Sequence, residues 1–231
     1  MSPDAAKPSS DRDRTYFGAI TASLSHEINN VLAIINELTG LLSDYLVAAA
    51  GGRPLEPDKL EHAIGRIQAQ LERGKQHVQQ LNHFAHTVDN SRQQLDAREA
   101  LDQTVQICQR FATLRKCRLE ADPPQGPVPL TCCPFDLEHV LFRCIDAGLG
   151  CTGTGGTLAI RTEPSGSGGV RFVFEGRQPL EDASAAAARI APAEQVADSL
   201  GCNLEVQAAD GLPLRLVLEV PAEMECGGSA S

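Results

Sequence analysis

Tryptophan is absent from this chain of 231 residues, and aromatic side chains of all kinds make up only 4% of it. Any core must therefore be filled by Leu, Val, Ile and Ala. Positive charge is also scarce: 20 Lys and Arg face 30 Asp and Glu, a formal net charge of -10. That balance excludes sequence-independent nucleic-acid binding, which neutralises phosphates with Lys and Arg, and docking on anionic lipid. No uninterrupted apolar run approaches the ~20 residues that a bilayer-spanning helix needs. The opening MSPDAAKPSSDRDR has no apolar stretch of the kind a signal peptide carries, and residues 1–13 read as a disordered lead-in. The expectation is a cytoplasmic protein with neither nucleic acid nor membrane as partner. There are 8 cysteines but no Cys-x-x-Cys pair, so a structural zinc site is not expected. Small buried thiols are the simpler reading.

What is present is globular: 42% apolar and 22% charged residues, in a length sufficient for one or two domains. From Leu24 the apolar residues fall at Leu24, Ile28, Val31, Ile35, Leu38, Leu42 and Tyr45, an alternation of four and three. This is the seam of a coiled coil or helical bundle. AAAGGRP should end the helix, because two glycines and a proline stop it. A second run after Pro57 places Leu60, Ile64, Ile67, Leu71, Val78, Leu81 and Val88 at heptad positions, with Gly74 and Ala85 between them. A hairpin of two such helices leaves one apolar stripe uncovered. Two hairpins are therefore expected to pair into a dimeric four-helix bundle.

VDNSRQQ is polar and marks a boundary. Beyond it EALDQTVQICQRFATL reads as helix, CRLEAD as strand, and PFDLEHVLFRCIDAGL as a helix opened by Pro134. GTLAIRTE and VRFVFEG read as strands around a PSGSGG turn, ASAAAARIAPAEQVADSL as a helix broken at Pro192, and CNLEVQAADGLPLRLVLEVP as a closing hairpin. The fold class expected is thus a helical hairpin at residues 14–92, an α+β sandwich at 93–222 with helices on one face of a mixed sheet, and a disordered tail at 223–231.

One stretch carries candidate chemistry. In SLSHEINNVLAII, His26 lies about 200° from both Leu24 and Ile28 at 100° per residue, so it points off the seam. A buried structural histidine is thereby excluded, and a plain surface residue remains as the alternative. Asn30 follows one turn later on the same face, where a carboxamide could orient a water or a phosphoryl oxygen. Glu27 could accept a proton from Nδ1 and leave Nε2 as the nucleophile.

SLSHEINNVLAII resembles the H-box of the dimerisation and phosphoacceptor domain of two-component sensor histidine kinases, His-Glu/Asp-x-x-Asn/Thr, with the match on His26, Glu27 and Asn30. Val31 departs from it, since the family often has proline there. The mixed domain is similar in element order to the kinase ATP-binding domain, through FDLEHVLFRCIDAGLGCTGTGGTLAIRT and ARIAPAEQVADSLGCNLEVQAADGLPLRLVLEVP. Three parts of the family's nucleotide site have no match. No Asn lies between Phe135 and Gly150, and Arg143 stands where the magnesium asparagine is expected. VFEGRQP does not continue into Asp-x-Gly-x-Gly, and the lid with its glycine loop has no counterpart.

That combination resembles the kinase-like histidine phosphotransferases of bacterial phosphorelays that do not bind ATP. The resemblance implies a cytoplasmic homodimer whose partners are response-regulator receiver domains. His26 would carry the phosphoryl group, with Glu27 and Asn30 assisting. No cofactor would be bound by the chain itself, and Mg2+ would come from the receiver. A divergent sensor histidine kinase, a dimeric scaffold without catalysis, and a phosphatase acting on a response regulator remain as alternatives.

Overall fold

The structure is a computed structural model that describes residues 11–88, 92–122, 126–166 and 168–224. The expected lead-in and tail lie largely outside these residues, as does the middle of VDNSRQQ. The chain forms two compact units, one of Phe17–Phe84 and the other of Ala85 onward together with the residues up to Tyr16.

The first unit is a helical hairpin. Helix α1 (Asp11–Ala50) runs unbroken for 40 residues, and α2 (Pro57–Thr87) for 31. No break occurs at Val31, as expected where proline is missing. Gly51 and Gly52 end α1, and Gly52 takes a positive φ of 89° that only glycine adopts freely. Leu24, Val31 and Leu38 are buried, spaced by seven.

On α2 the buried seam is rotated from the expected one. Ala63 and Phe84 are buried, Gln70 and His77 are half-buried, and Ile64, Leu71 and Val78 stand 46%, 49% and 43% exposed. Apolar periodicity marks Leu60, Ile67 and Leu81 as a central line but does not say which flanking line faces α1. Small residues decide it. A Cβ on Gly74 would stand 3.2 Å from Val31 Cγ1, so the helices approach closely there. Leu32, Leu46 and Val47 are likewise exposed on α1, at 57%, 61% and 73%.

The absence of an uninterrupted apolar run did not translate into a helix too polar for lipid. By length and composition α1 could cross a membrane, because scattered polar residues do not outweigh its apolar ones. Only 11% of its most apolar window is buried. The chain on its own leaves that surface uncovered.

The second unit is an α+β sandwich. Strands β2 (Arg118–Asp122), β4 (Thr157–Pro164), β5 (Val170–Pro179), β7 (Pro213–Val220) and β6 (Asn203–Gln207) form one sheet in the order β2-β4-β5-β7-β6, parallel only between β2 and β4. Helices α3 (Ala97–Leu114), α4 (Pro134–Cys151) and α5 (Ala183–Ser199) pack on one face. Ile160, Phe174 and Leu216 are in register across β4, β5 and β7 and are all buried. On the opposite face Glu175 accepts from Arg161 at 2.9 Å and from Arg215 at 3.1 Å. One face of the sheet is thus an apolar core face, and the other carries this ion-pair cluster beside the buried Val173 and Val217.

Two strands were not expected from sequence. β1 (Gln93–Asp96) and β3 (Pro129–Cys132) pair antiparallel as a separate two-stranded sheet. Each has only four residues, too few to show alternation. Asp96 ends β1 and caps α3, its Oδ1 accepting from Arg98 N at 3.0 Å and from Val128 N at 2.9 Å. The break expected at Pro192 does not occur, and α5 runs through it. Pro192 is exposed, while Ile190, Ala193, Val196 and Ala197 are buried. The burial of that face outweighs the lost backbone hydrogen bond.

Helix α4 is the spine of this unit, and Leu137, Val140, Leu141, Cys144 and Ile145 are almost wholly buried. The Tyr16 ring stacks on His139 with centroids 4.4 Å apart and also meets Phe135 and Phe142. His139 Nε2 accepts from Arg143 Nε at 3.1 Å. Burial, reinforced by the Arg143 charge, lowers the His139 pKa to about 3, so the ring is neutral. The thiols follow the same physics. Cys108, Cys132, Cys144 and Cys202 are buried, and burial pushes Cys202 up to about 12.

A prediction follows from His139. Its unfolded form takes a proton below about pH 6.5, whereas the folded form resists until about pH 3. Its contribution to stability is complete above pH 6.5 and is lost as pH falls towards 3. Between pH 7 and pH 4.5, urea unfolding should show the parent losing about 2 kcal/mol more than His139→Phe. Parallel losses in the two proteins would contradict a neutral, buried His139.

Candidate functional site

His26 sits near the middle of α1 with its side chain exposed. Asn30 is also exposed, one turn further on and on the same face. Continuous helix on both sides holds the two in fixed relation, and neither supports the seam of Leu24, Val31 and Leu38. An imidazole so placed can be approached in line by a reacting phosphoryl group.

Glu27 is placed differently. Its side chain is only 19% exposed and turns across the hairpin, where Oε2 lies 3.9 Å from His77 Nε2. The other His77 nitrogen, Nδ1, is 3.4 Å from Gln80 Oε1. Sequence reasoning missed His77. The available signal was its position in a heptad line with Ala63, Gln70 and Phe84, where an apolar residue would be the default.

The second region of interest is α4. Arg143 occupies the place expected for a magnesium asparagine, and its guanidinium lies 5.9 Å from the Phe142 ring. Only Leu180, Glu181 and Asp182 connect β5 to α5. Asp182 caps α5, its Oδ1 accepting from Ala185 N at 3.0 Å, and Asp210 Oδ1 accepts from Ala183 N at 2.7 Å. At the β5 end Leu180 N donates to Leu212 O at 2.8 Å, so the connection is tied down at both ends. Packing of α5 on α4 is close, and a Cβ on Gly150 would stand 3.3 Å from Arg189 Cδ. Among the described residues no group of three or more His, Cys, Asp or Glu could hold a metal ion.

The hairpin and the mixed sandwich together make a histidine-kinase-like fold. A histidine kinase from Burkholderia phymatum superimposes with a TM-score of 0.50 at 14% identity, covering 93% of this chain and 100% of that one. A bacterial phosphotransferase gives a TM-score of 0.49 at 18% identity, covering 94% of this chain and 100% of that one. The Acinetobacter baumannii histidine kinase AdeS gives 0.42 at 12% identity, over 85% of this chain and 98% of its own. At these identities the likeness is one of fold. No protein-family model matches the sequence, and no curated protein does.

Proposed function

We propose that the protein is a histidine phosphotransferase that relays a phosphoryl group between receiver-domain aspartates through His26, without ATP. The observation that carries this reading is the exposed His26–Asn30 face on a continuous helix, set away from the buried seam. The Nε2 lone pair forms the N–P bond as the P–O bond to the donor aspartate breaks, and the aspartate leaves as a carboxylate. The positive charge that develops on the ring is balanced by Glu27. Asn30 orients a phosphoryl oxygen. Mg2+ belongs to the receiver's acidic pocket, and the chain uses no cofactor of its own. The reverse sequence passes the group to a second receiver.

The working unit in this reading is a homodimer. A second copy would cover Ile64, Leu71 and Val78, which recur every seven residues as a bundle seam does. Lipid is the other environment able to cover an apolar helix. It imposes no heptad spacing, so the spacing favours a protein partner.

Mixing the protein with a phosphorylated receiver, in the absence of ATP, should transfer label to it. No transfer would end the proposal. A divergent kinase is the competing reading, suggested by the fold. Against it stand Arg143 in place of asparagine and the three-residue connection before α5, which leaves no chain for a lid. Titration calorimetry with MgATP is therefore expected to give no heat of binding. Micromolar affinity, or self-labelling from ATP, would favour the kinase.

A further inference from the structure

On α1 the seam is apolar above and below Glu27, with Leu24 and Val31 buried one turn to either side, while the facing line of α2 carries Gln70 as well as His77. At Glu27 itself it turns polar. The carboxylate faces His77 at 3.9 Å, and both side chains are only 19% exposed. His77 Nε2 is buried and makes no hydrogen bond. The 3.9 Å separation is just beyond hydrogen-bond range. Two polar side chains in a bundle seam cost stability unless they meet. An apolar pair in this layer would be the default for folding, so the departure is expected to serve function.

Its place in the sequence names the function. Glu27 adjoins His26, and His77 reaches it from the other helix. The close approach at Gly74, where a Cβ would stand 3.2 Å from Val31 Cγ1, lies one turn before His77 and brings α2 near enough. Gln80 Oε1 lies 3.4 Å from Nδ1 on the opposite side; with the proton on Nε2, the Gln80 carboxamide braces the ring by turning its NH2 to donate to Nδ1.

We propose that His77 is a positioning residue for phosphoryl transfer at His26, donating Nε2–H to Glu27 and holding in order the carboxylate that follows the acceptor in sequence. The inference rests on the phosphotransfer reading. A small rotation of either side chain closes the gap to a hydrogen bond. Without His77 the carboxylate loses this contact, and its position relative to the His26 ring is less closely set.

The test compares His77→Leu, His77→Gln, Glu27→Gln and the double change His77→Leu with Glu27→Gln, each given the same phosphorylated receiver. His77→Leu should gain label about tenfold more slowly, the equivalent of one hydrogen bond to a charged group. His77→Gln keeps a donor at similar reach and should recover most of the rate. The double change should be no slower than Glu27→Gln alone, since both remove one interaction. Equal rates for His77→Leu and the parent would overturn the inference, as would equal slowing by His77→Leu and His77→Gln. A second measurement is independent of transfer. In 15N-histidine spectra the His77 Nε2 signal should shift on Glu27→Gln, and an unmoved signal would overturn the pairing. If the parent protein gains no label at all, the phosphotransfer reading fails while the spectra still decide whether the pair exists.

Discussion

Replacing His26 by alanine is expected to abolish the receipt of label from a phosphorylated receiver while leaving the fold untouched. The imidazole is exposed and lies off the seam, so its loss should change stability by no more than about 0.5 kcal/mol. Loss of the nucleophile on that face removes the reaction itself. Asn30→Ala should act differently, because it takes away a group that positions oxygen. Phosphohistidine should still form, with an altered lifetime or rate of onward transfer. Glu27→Ala should slow formation, since the charge on the ring is no longer balanced. Gel detection of labelled protein distinguishes these outcomes. A scaffold would leave all three silent, and full labelling of the His26 variant would move attention to His62, His77, His83, His86 and His139.

The second large effect is at the seam, where two leucines should fail in different ways. Leu38 is 3% exposed within its own hairpin, and Leu71 is 49% exposed on the outer line of α2. A glutamate at position 38 would force a charge into an almost wholly buried seam position, and even with Lys59, His62 and Arg66 lining the adjoining pocket the desolvation should destabilise the hairpin. A glutamate at position 71 meets solvent in the single chain and loses only what a second copy would supply. Burying a leucine is worth roughly 1.5–3 kcal/mol, and a symmetric dimer presents the position twice. Sedimentation together with circular dichroism should therefore find Leu71→Glu fully helical and monomeric, and Leu38→Glu short of the helical signal that the hairpin contributes. An unmodified chain that sediments as a monomer would refute the paired bundle.

The long elements were legible because their periods are long. Seven spaced apolar residues from Leu24 to Tyr45 specify a helix whatever surrounds it, and alternation along VRFVFEG specifies a strand. Strands β1 and β3 escaped because four residues cannot establish a period, and what holds them is distant in sequence: each other, the Asp96 cap and, for β3, a bridge from Thr131 to Glu223. Pro192 misled because local propensity predicts a break, whereas the buried face of Ile190, Ala193, Val196 and Ala197 is a tertiary fact. Which line of α2 faces α1 within one hairpin escaped for a related reason. Hydrophobicity names the residues that avoid water but not the partner that shields them, and close approach at Gly74 assigned that. At the candidate site, the outward direction of His26 could be read from helical geometry. His77 could not, because it lies 50 residues away along the chain and meets Glu27 only once the hairpin has closed.

Tyr16 has a bearing on how the molecule can be taken apart. Its ring is 1% exposed and completes the aromatic cluster of Phe135, His139 and Phe142 on α4. The sandwich is therefore encoded by two stretches of gene with the whole hairpin between them. During synthesis the tyrosine leaves the ribosome first and must wait for α4 before it can be buried. A fragment begun at Ala85 would carry a ring-sized hole, and one ended at Phe84 would carry an orphaned aromatic. Dissecting the protein into working halves requires Tyr16 to travel with the sandwich, joined to it by a new linker.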